Sequence, residues 1–267
     1  MTASATPGGW APGELAPRPG AAPRTAMLRA QTRTELVLLL RNGEQVLLAV
    51  VIPVVVLLGG VVGADRVGLD FSRPTVDVLT PGVLALAVMS TSFTSLAIAT
   101  GFERRYGVLK RLGASPLPRS GLLAGKVLAL LAVETLQVVV IGTVALMLGW
   151  SPATSATAVV GLVLALVLGT AAFAGLGLLM AGALRAEATL AAANLVYLLL
   201  LVGGAVVLPL SAYGGAGGLV QWLPSAALGD AVRAALLDSR VAVVDVVVLS
   251  AWAVVSAVLT ARTFKWE

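Results

Sequence analysis

Long apolar runs separated by short polar segments dominate the pattern of this chain. A run of roughly 18 or more apolar residues is long enough to cross the hydrocarbon core of a bilayer as a helix. Six such runs are present, which predicts an all-α, polytopic membrane protein with six transmembrane helices. The predicted spans cover about residues 45–63, 80–101, 121–149, 156–182, 189–210 and 242–261.

Two segments outside these runs differ from ordinary loops. Residues 25–44 place Arg29, Arg33 and Arg41 on one broad arc of a helical wheel. This arc predicts an N-terminal interfacial helix on the cytoplasmic leaflet, with a plain extension of the first span as the alternative. Residues 211–240 join helix-breaking glycines to a moderately apolar stretch, predicted as a helix over residues 219–237, that is too short and too charged to cross. They predict a re-entrant pair of short helices in the outer leaflet, or an ordinary amphipathic outer loop.

The remaining segments complete the predicted domain organisation. Residues 1–24 are rich in Pro and Gly and contain no apolar run, a composition typical of a disordered tail. Residues 25–267 then form one six-span domain, in which residues 102–120 make a basic loop between the second and third spans.

The distribution of basic residues predicts the orientation in the membrane. If both termini are cytoplasmic, fourteen of the 18 Lys and Arg residues lie in cytoplasmic segments and four lie in outer loops. Cytoplasmic loops of membrane proteins carry such an excess of Lys and Arg, because cationic loops are translocated poorly. We therefore expect a multi-pass protein with both termini in the cytoplasm.

Composition limits the chemistry that this chain can perform. Hydrophobic residues make up 58% of the chain and charged residues 12%, whereas soluble domains average about 45–50% and about 25%. The chain has no Cys and no His, which removes thiolate nucleophiles, imidazole bases and the usual zinc ligands. No catalytic residue and no metal site are predicted. The phosphate-binding pattern GxxxxGK[ST] is also absent, so we expect no ATP hydrolysis on this chain.

A few polar residues fall inside the predicted spans. Glu134 and Gln137 share one face of the third span, Ser92 and Ser95 belong to a hydroxyl-rich stretch of the second span, and Asn194 lies in the fifth. Such residues are candidates for a polar substrate path, because burying them in a membrane is costly. The alternative is helix packing through hydrogen bonds between spans.

Other residues of the spans are assigned to packing or to anchoring. The glycines of AGLGLLMAG in the fourth span predict close helix packing, and Lys126 is interpreted as an anchor that extends to the cytoplasmic surface. The net charge of +5 does not indicate a nucleic-acid partner, since the basic residues lie mostly at the ends of apolar runs. The composition is typical of a bacterial gene rich in G and C.

The basic loop carries a more specific pattern, S-x-A-x-A-x-x-x-E-R-R-x-G-V-L-K-R-L-x-A-S-P-L, followed by GK and an apolar span. This pattern resembles the signature of the type-2 ABC exporter permeases. The matching residues are Glu103, Arg104, Arg105, Gly107, Leu109, Arg111, Leu112, Ser115, Pro116 and Lys126. Pro224 and Arg233 resemble the later part of the family pattern, whereas Ser225 stands where a Pro is frequent.

The resemblance implies a function and a set of partners. A permease of this family sits in the bacterial cytoplasmic membrane among lipids, pairs with a second permease chain, and moves an amphipathic or lipidic substrate outwards. The energy comes from an ATP-binding-cassette ATPase subunit that holds ATP and magnesium, and no cofactor is expected on this chain. The helix at 25–44 is also implied to contact the ATPase.

The resemblance further implies that a coupling helix, Glu103 to Arg111, contacts the ATPase. The residues assigned to it are Glu103, Arg104, Arg105, Gly107, Leu109, Lys110 and Arg111. A solvated basic loop that merely follows the positive-inside rule is the alternative. The alternative function is an ion-coupled secondary transporter that uses Glu134, which a single carboxylate and the lack of a visible inverted repeat disfavour.

Overall fold

The computed structural model describes residues 22–67 and 73–264, and the regular elements in these ranges are all helical. Most of the predicted tail lies outside the described residues, although Arg24 already belongs to the first helix. The helices are α1 (Arg24–Arg41), α2 (Gly43–Val67), α3 (Thr75–Met89), α4 (Leu96–Arg105), α5 (Val108–Gly113), α6 (Arg119–Met147), α7 (Ala156–Ala183), α8 (Ala186–Gly203), α9 (Gly217–Val220), α10 (Pro224–Asp238) and α11 (Val243–Thr263).

Five helical stretches of the described chain are long and apolar enough to cross a membrane. They are Thr75–Arg105, Arg119–Met147, Ala156–Ala183, Ala186–Gly203 and Val243–Thr263. The first predicted span corresponds to α2, a 25-residue helix that contains Pro53 and a shorter apolar stretch, Ala49–Ala64. The prediction of an all-α, polytopic membrane protein is therefore confirmed.

The second span is the central helix of the bundle. It begins at Thr75, earlier than predicted, and 78% of its most apolar window is buried inside the protein. Its hydroxyl-rich middle, Ser90–Ser95, forms a π-helical segment between α3 and α4. Wider turns of this kind place backbone groups out of the regular helical register and occur often at functional sites. The hydroxyl of Ser92 donates to the carbonyl of Val88, one turn back.

Small residues allow the fourth span, α7, to pack closely against two neighbours. A Cβ atom on Gly175 would lie 2.1 Å from Oγ of Ser256 on α11, and one on Gly177 would lie 2.8 Å from the carbonyl oxygen of Phe93. Neither contact distance is sterically possible, so a larger residue would push the helices apart. The predicted role of these glycines in close packing agrees with this geometry.

The fifth span ends at Gly203, several residues before the predicted limit of 210. Irregular backbone follows, then a 3-10 turn at Leu210–Ala216 and the one-turn helix α9. Helix α10 begins at Pro224, not at residue 219 as predicted, because Pro fits the first turn of a helix but not its interior. Nearly all of α10 is buried against α3, α7 and α11.

The order of the helices places the short helices α5 and α10 at opposite ends of the bundle. We refer to the end formed by α5, the first turns of α6 and the α7–α8 turn as the α5 end. The opposite end, formed by α10 and the irregular segment 204–209, is the α10 end. Helix α1 packs along the start of α6, and therefore also lies at the α5 end.

Candidate coupling site

The predicted coupling helix, Glu103 to Arg111, consists of two helices in the structure. Helix α4 continues the second span as far as Arg105, and α5 starts only at Val108. Gly107 between them has a φ of +70°, in the left-handed region that L-residues with a side chain adopt at a cost. The prediction of one continuous helix is therefore wrong, because Gly107 turns the chain at this point.

The last turn of α4 is tied to the bundle by a buried ion cluster. The ammonium of Lys126 on α6 lies 2.8 Å from Oε1 of Glu103 and 3.0 Å from the carboxylate of Glu35 on α1. Gln31 donates to the same Glu35 carboxylate over 2.7 Å. We name Glu35, Glu103 and Lys126 the Lys126 cluster, and it joins three helices.

The interpretation of Lys126 as a surface anchor is wrong. Its side chain is only 4% exposed, and it is held between two carboxylates instead of extending to the surface. The reason is that Lys126 lies two turns inside α6, where α1 covers it. Gly125 permits this cover, since a Cβ there would lie 2.6 Å from Cγ of Gln31.

The two arginines that follow Glu103 bind the opposite side of the bundle. The guanidinium of Arg104 donates to the carbonyl oxygens of Gly182 and Leu184, at the end of α7. Carbonyl groups at a helix C-terminus lack partners within the helix, so a cation there satisfies them. Arg105 forms an ion pair with Glu187 in the first turn of α8. Helix α4 is thus connected to α1 and α6 by one residue and to α7 and α8 by the next two.

Helix α5 presents a mixed basic and apolar surface to the outside. Leu109 is buried and fixes the helix, whereas Lys110 and Arg111 are exposed. Two apolar side chains next to them are also exposed: Tyr106 at 64% and Val108 at 37%. The predicted coupling residues therefore divide into three groups. Some hold α4 in place, Gly107 sets the turn, and the residues of α5 are free to contact a partner.

A second buried cation lies at the α10 end. The guanidinium of Arg233 donates to the carbonyl oxygens of Val206 and Val207 over 2.8 and 2.6 Å, and it pairs with Asp230 at 2.9 Å. These carbonyls belong to irregular backbone, which inside a membrane protein needs partners from the protein itself. Burial raises the pKa of the Asp230 carboxyl, and the nearby Arg233 acts in the opposite direction.

The comparison with known families agrees with this arrangement. The profile of the family described as ABC-2 type transporter matches residues 27–237, from α1 through nearly all of α10. The chain belongs to the ABC-2 type transporter family. No curated protein and no solved structure matches the chain at a significant level. As an ABC-2 permease, the protein is a multi-pass transport subunit that works with an ABC ATPase subunit.

The permease does not bring the predicted substrate-path residues together in one cavity. Glu134 is buried and accepts a hydrogen bond from Thr170 of α7, and Gln137 donates to Thr91 and to the carbonyl of Ala49. These two residues connect α6 to its neighbours, the geometry expected of packing. Ser92 lies in the core, Ser95 lines a cleft beside the Lys126 cluster, and Asn194 is exposed.

Sequence reasoning missed one residue of the permease that the structure places at the centre of the site. Glu35 is the only acidic residue in the 18 residues of α1, and it is only 8% exposed. Its position one turn after Gln31 on the face that meets α6 could have been noted as a polar pair at helical spacing. Its partner Lys126, however, is 91 residues away in the sequence.

Proposed function

We propose that this permease is the membrane half of an ATP-driven exporter, moving an amphipathic or lipidic substrate out of a bacterial cytoplasm. It acts in the cytoplasmic membrane, with both termini and the α5 end facing the cytoplasm. A second permease chain pairs with it, and ATP and magnesium are bound by the partner ATPase. The observation that carries the proposal is the exposed basic and apolar surface of α5. The opposite side of α5 contacts the last turn of α4.

The contacts of α4 supply a physical route from the ATPase to the spans. A partner that moves α5 also moves Glu103, because only Tyr106 and Gly107 separate α5 from the end of α4. Glu103 is bonded through Lys126 to α6 and α1, and Arg104 is bonded to the end of α7. A displacement of α5 is therefore transmitted to at least three other helices at once.

Transport by a purified complex tests the proposal. We would reconstitute the permease with its ATPase and follow uptake of radiolabelled dodecylamine and of a fluorescent phospholipid into inverted vesicles. We expect uptake that requires ATP and fails with a non-hydrolysable analogue. The double variant Lys110→Glu/Arg111→Glu should abolish the ATP-dependent part, because it reverses the charge of the α5 surface.

A matched control reverses charge at the other end. Arg240 is exposed and lies at the α10 end, so Arg240→Glu should leave ATP-dependent uptake unchanged. Uptake driven by a pH gradient without ATP, and lost in Glu134→Gln, would instead support an ion-coupled transporter. Membership of the ABC-2 family and the enclosed hydrogen bond of Glu134 to Thr170 favour the exporter.

A further inference from the structure

A narrow cleft lies between α1, α4 and α6 beside the Lys126 cluster. Residues at helical spacing on one face of each helix form its apolar wall: Leu38, Leu39, Leu96, Ala99 and Leu130. Its polar end is the Lys126 cluster itself, whose three members all line the cleft. Apart from Ser95, the cleft is thus apolar along its length and charged at one end, which is the polarity of an amphipathic ligand.

The charges at the polar end do not balance. Two carboxylates face one ammonium, and an ammonium has only three hydrogens to donate. Lys126 uses them on Glu35 and on Oε1 of Glu103. The other oxygen of that residue, Oε2 of Glu103, is buried and has no hydrogen-bond partner within the described part of the chain. A buried acceptor without a donor is costly, and a charged acceptor more so.

We propose that this cleft binds a cationic amphipath, with a protonated amine as its headgroup. The amine donates to Oε2 of Glu103 and balances the second carboxylate, while the chain lies along the apolar wall. An anionic headgroup is disfavoured, because it would approach two carboxylates in an environment where their charges are poorly screened. The inference rests on the proposed function, since it narrows the exported amphipath to one class of headgroup.

The rim of the cleft supports access from the surface of the bundle. Leu38 lies there and is 60% exposed, on the same face of α1 as Glu35. The cleft is therefore open to the surface of the bundle beside Leu38, and an amine that enters it would bind Oε2 once the Glu103 side chain turns towards the cleft. The cleft also adjoins the residues that connect α4 to α6. Binding would thus occur next to the contacts that carry motion from α5.

A photo-crosslinking experiment on the permease alone tests the inference. The probe is dodecylamine with a diazirine at the end of its chain, added to the purified permease in lipid nanodiscs without any ATPase. We expect crosslinks that map to peptides containing Leu38, Leu96 or Leu130. Unlabelled dodecylamine should compete, and dodecyl sulfate should not.

Charge-neutral variants identify the group that holds the amine. Glu103→Gln keeps the shape of the side chain and removes its charge, so crosslinking should fall about tenfold or more, as expected for loss of a charged hydrogen bond. The matched control is Asp245→Asn, which removes a carboxylate at the α10 end, outside the cleft; its crosslinking should equal that of the wild type.

Two results would overturn the inference. One is equal competition by dodecylamine and dodecyl sulfate on the wild-type permease, which needs no variant to fold. The other is unchanged crosslinking in a folded Glu103→Gln variant. Because no ATPase is present, failure here with intact ATP-dependent uptake would reject the cationic ligand and leave the exporter standing. Binding without ATP-dependent uptake would reject the exporter instead.

Discussion

The two ends of this permease each contain a buried cation, but the two cations have different kinds of partner. At the α10 end, Arg233 binds backbone carbonyls of segment 204–209 and a carboxylate of its own helix. At the α5 end, Lys126 binds carboxylates from two other helices. At the α10 end, the acceptors are mostly backbone carbonyl groups, which need a hydrogen-bond donor in every conformation. The arrangement at the α5 end joins separate helices through side chains.

We infer from this difference that Arg233 has a structural role, whereas the Lys126 cluster transmits movement between helices. Carbonyl groups of irregular backbone inside a membrane protein require a donor in every state of the transport cycle, so Arg233 should stay in place. Side-chain ion pairs between helices can shift, lengthen or exchange partners as the helices move. We therefore expect the α10 end to stay rigid and the helices at the α5 end to move relative to one another.

The largest expected effect comes from removing Arg233. In Arg233→Leu, three carbonyl oxygens and the Asp230 carboxylate lose their partner in a buried site. Breaking a buried pair in this way costs about 3–5 kcal/mol, so we expect the variant to lose most of its thermal stability and its yield as a monodisperse protein. Thermal unfolding in detergent measures this directly. A variant as stable as wild type would contradict the role assigned to Arg233.

Removal of Lys126 should cost less stability than removal of Arg233, and neutralising its two carboxylate partners should restore much of it. Lys126→Met leaves two carboxylates without their cation, with an expected loss of about 3 kcal/mol. The triple variant Glu35→Gln/Glu103→Gln/Lys126→Met should recover much of it, because no unpaired charge remains. The comparison of the two melting temperatures separates charge from packing. If the triple variant is no more stable than the single one, packing accounts for the stability lost with Lys126, and the charges of the Lys126 cluster do not hold the helices together.

A smaller effect is expected at the turn between α4 and α5. Gly107→Ala places a Cβ in a left-handed conformation, at a cost of about 1–2 kcal/mol, although the space around it is open. We expect weaker co-purification of the ATPase, since α5 would change its direction relative to α4. Gly113→Ala is the matched control, because this glycine has ordinary helical geometry and open space. Equal loss in both variants would exclude the turn as the cause.

The sequence predicted the helical class and most span positions because both follow from local hydropathy. It could not predict the Lys126 cluster. Glu35 and Glu103 lie 91 and 23 residues from Lys126, so only the packing of α1 and α4 on α6 brings them together. Without that packing, a lysine near the end of a span is interpreted as a surface anchor. A glycine at position 107 is compatible with a break in the helix, but the family resemblance implied one continuous helix from Glu103 to Arg111.

The segment 211–240 shows a second limit of the sequence pattern. The pattern left open a re-entrant pair of short helices or an amphipathic loop over these residues, and it did not predict that α10 is enclosed by three helices. The alanines of α10 and Gly229 place small residues on every face of the helix, so the pattern does not distinguish a partly lipid-exposed helix from a buried one. Gly229 illustrates the close approach, since a Cβ there would lie 2.8 Å from the carbonyl oxygen of Val206.

Site-specific crosslinking measures the central claim, that α5 contacts the ATPase, most directly. The chain has no native cysteine, so a single thiol can be placed at will. A photoactivatable thiol reagent on Val108→Cys should crosslink to the ATPase in the assembled complex, whereas the same reagent on Arg240→Cys should not. Crosslinking from position 240 but not from position 108 would contradict both the contact and the orientation.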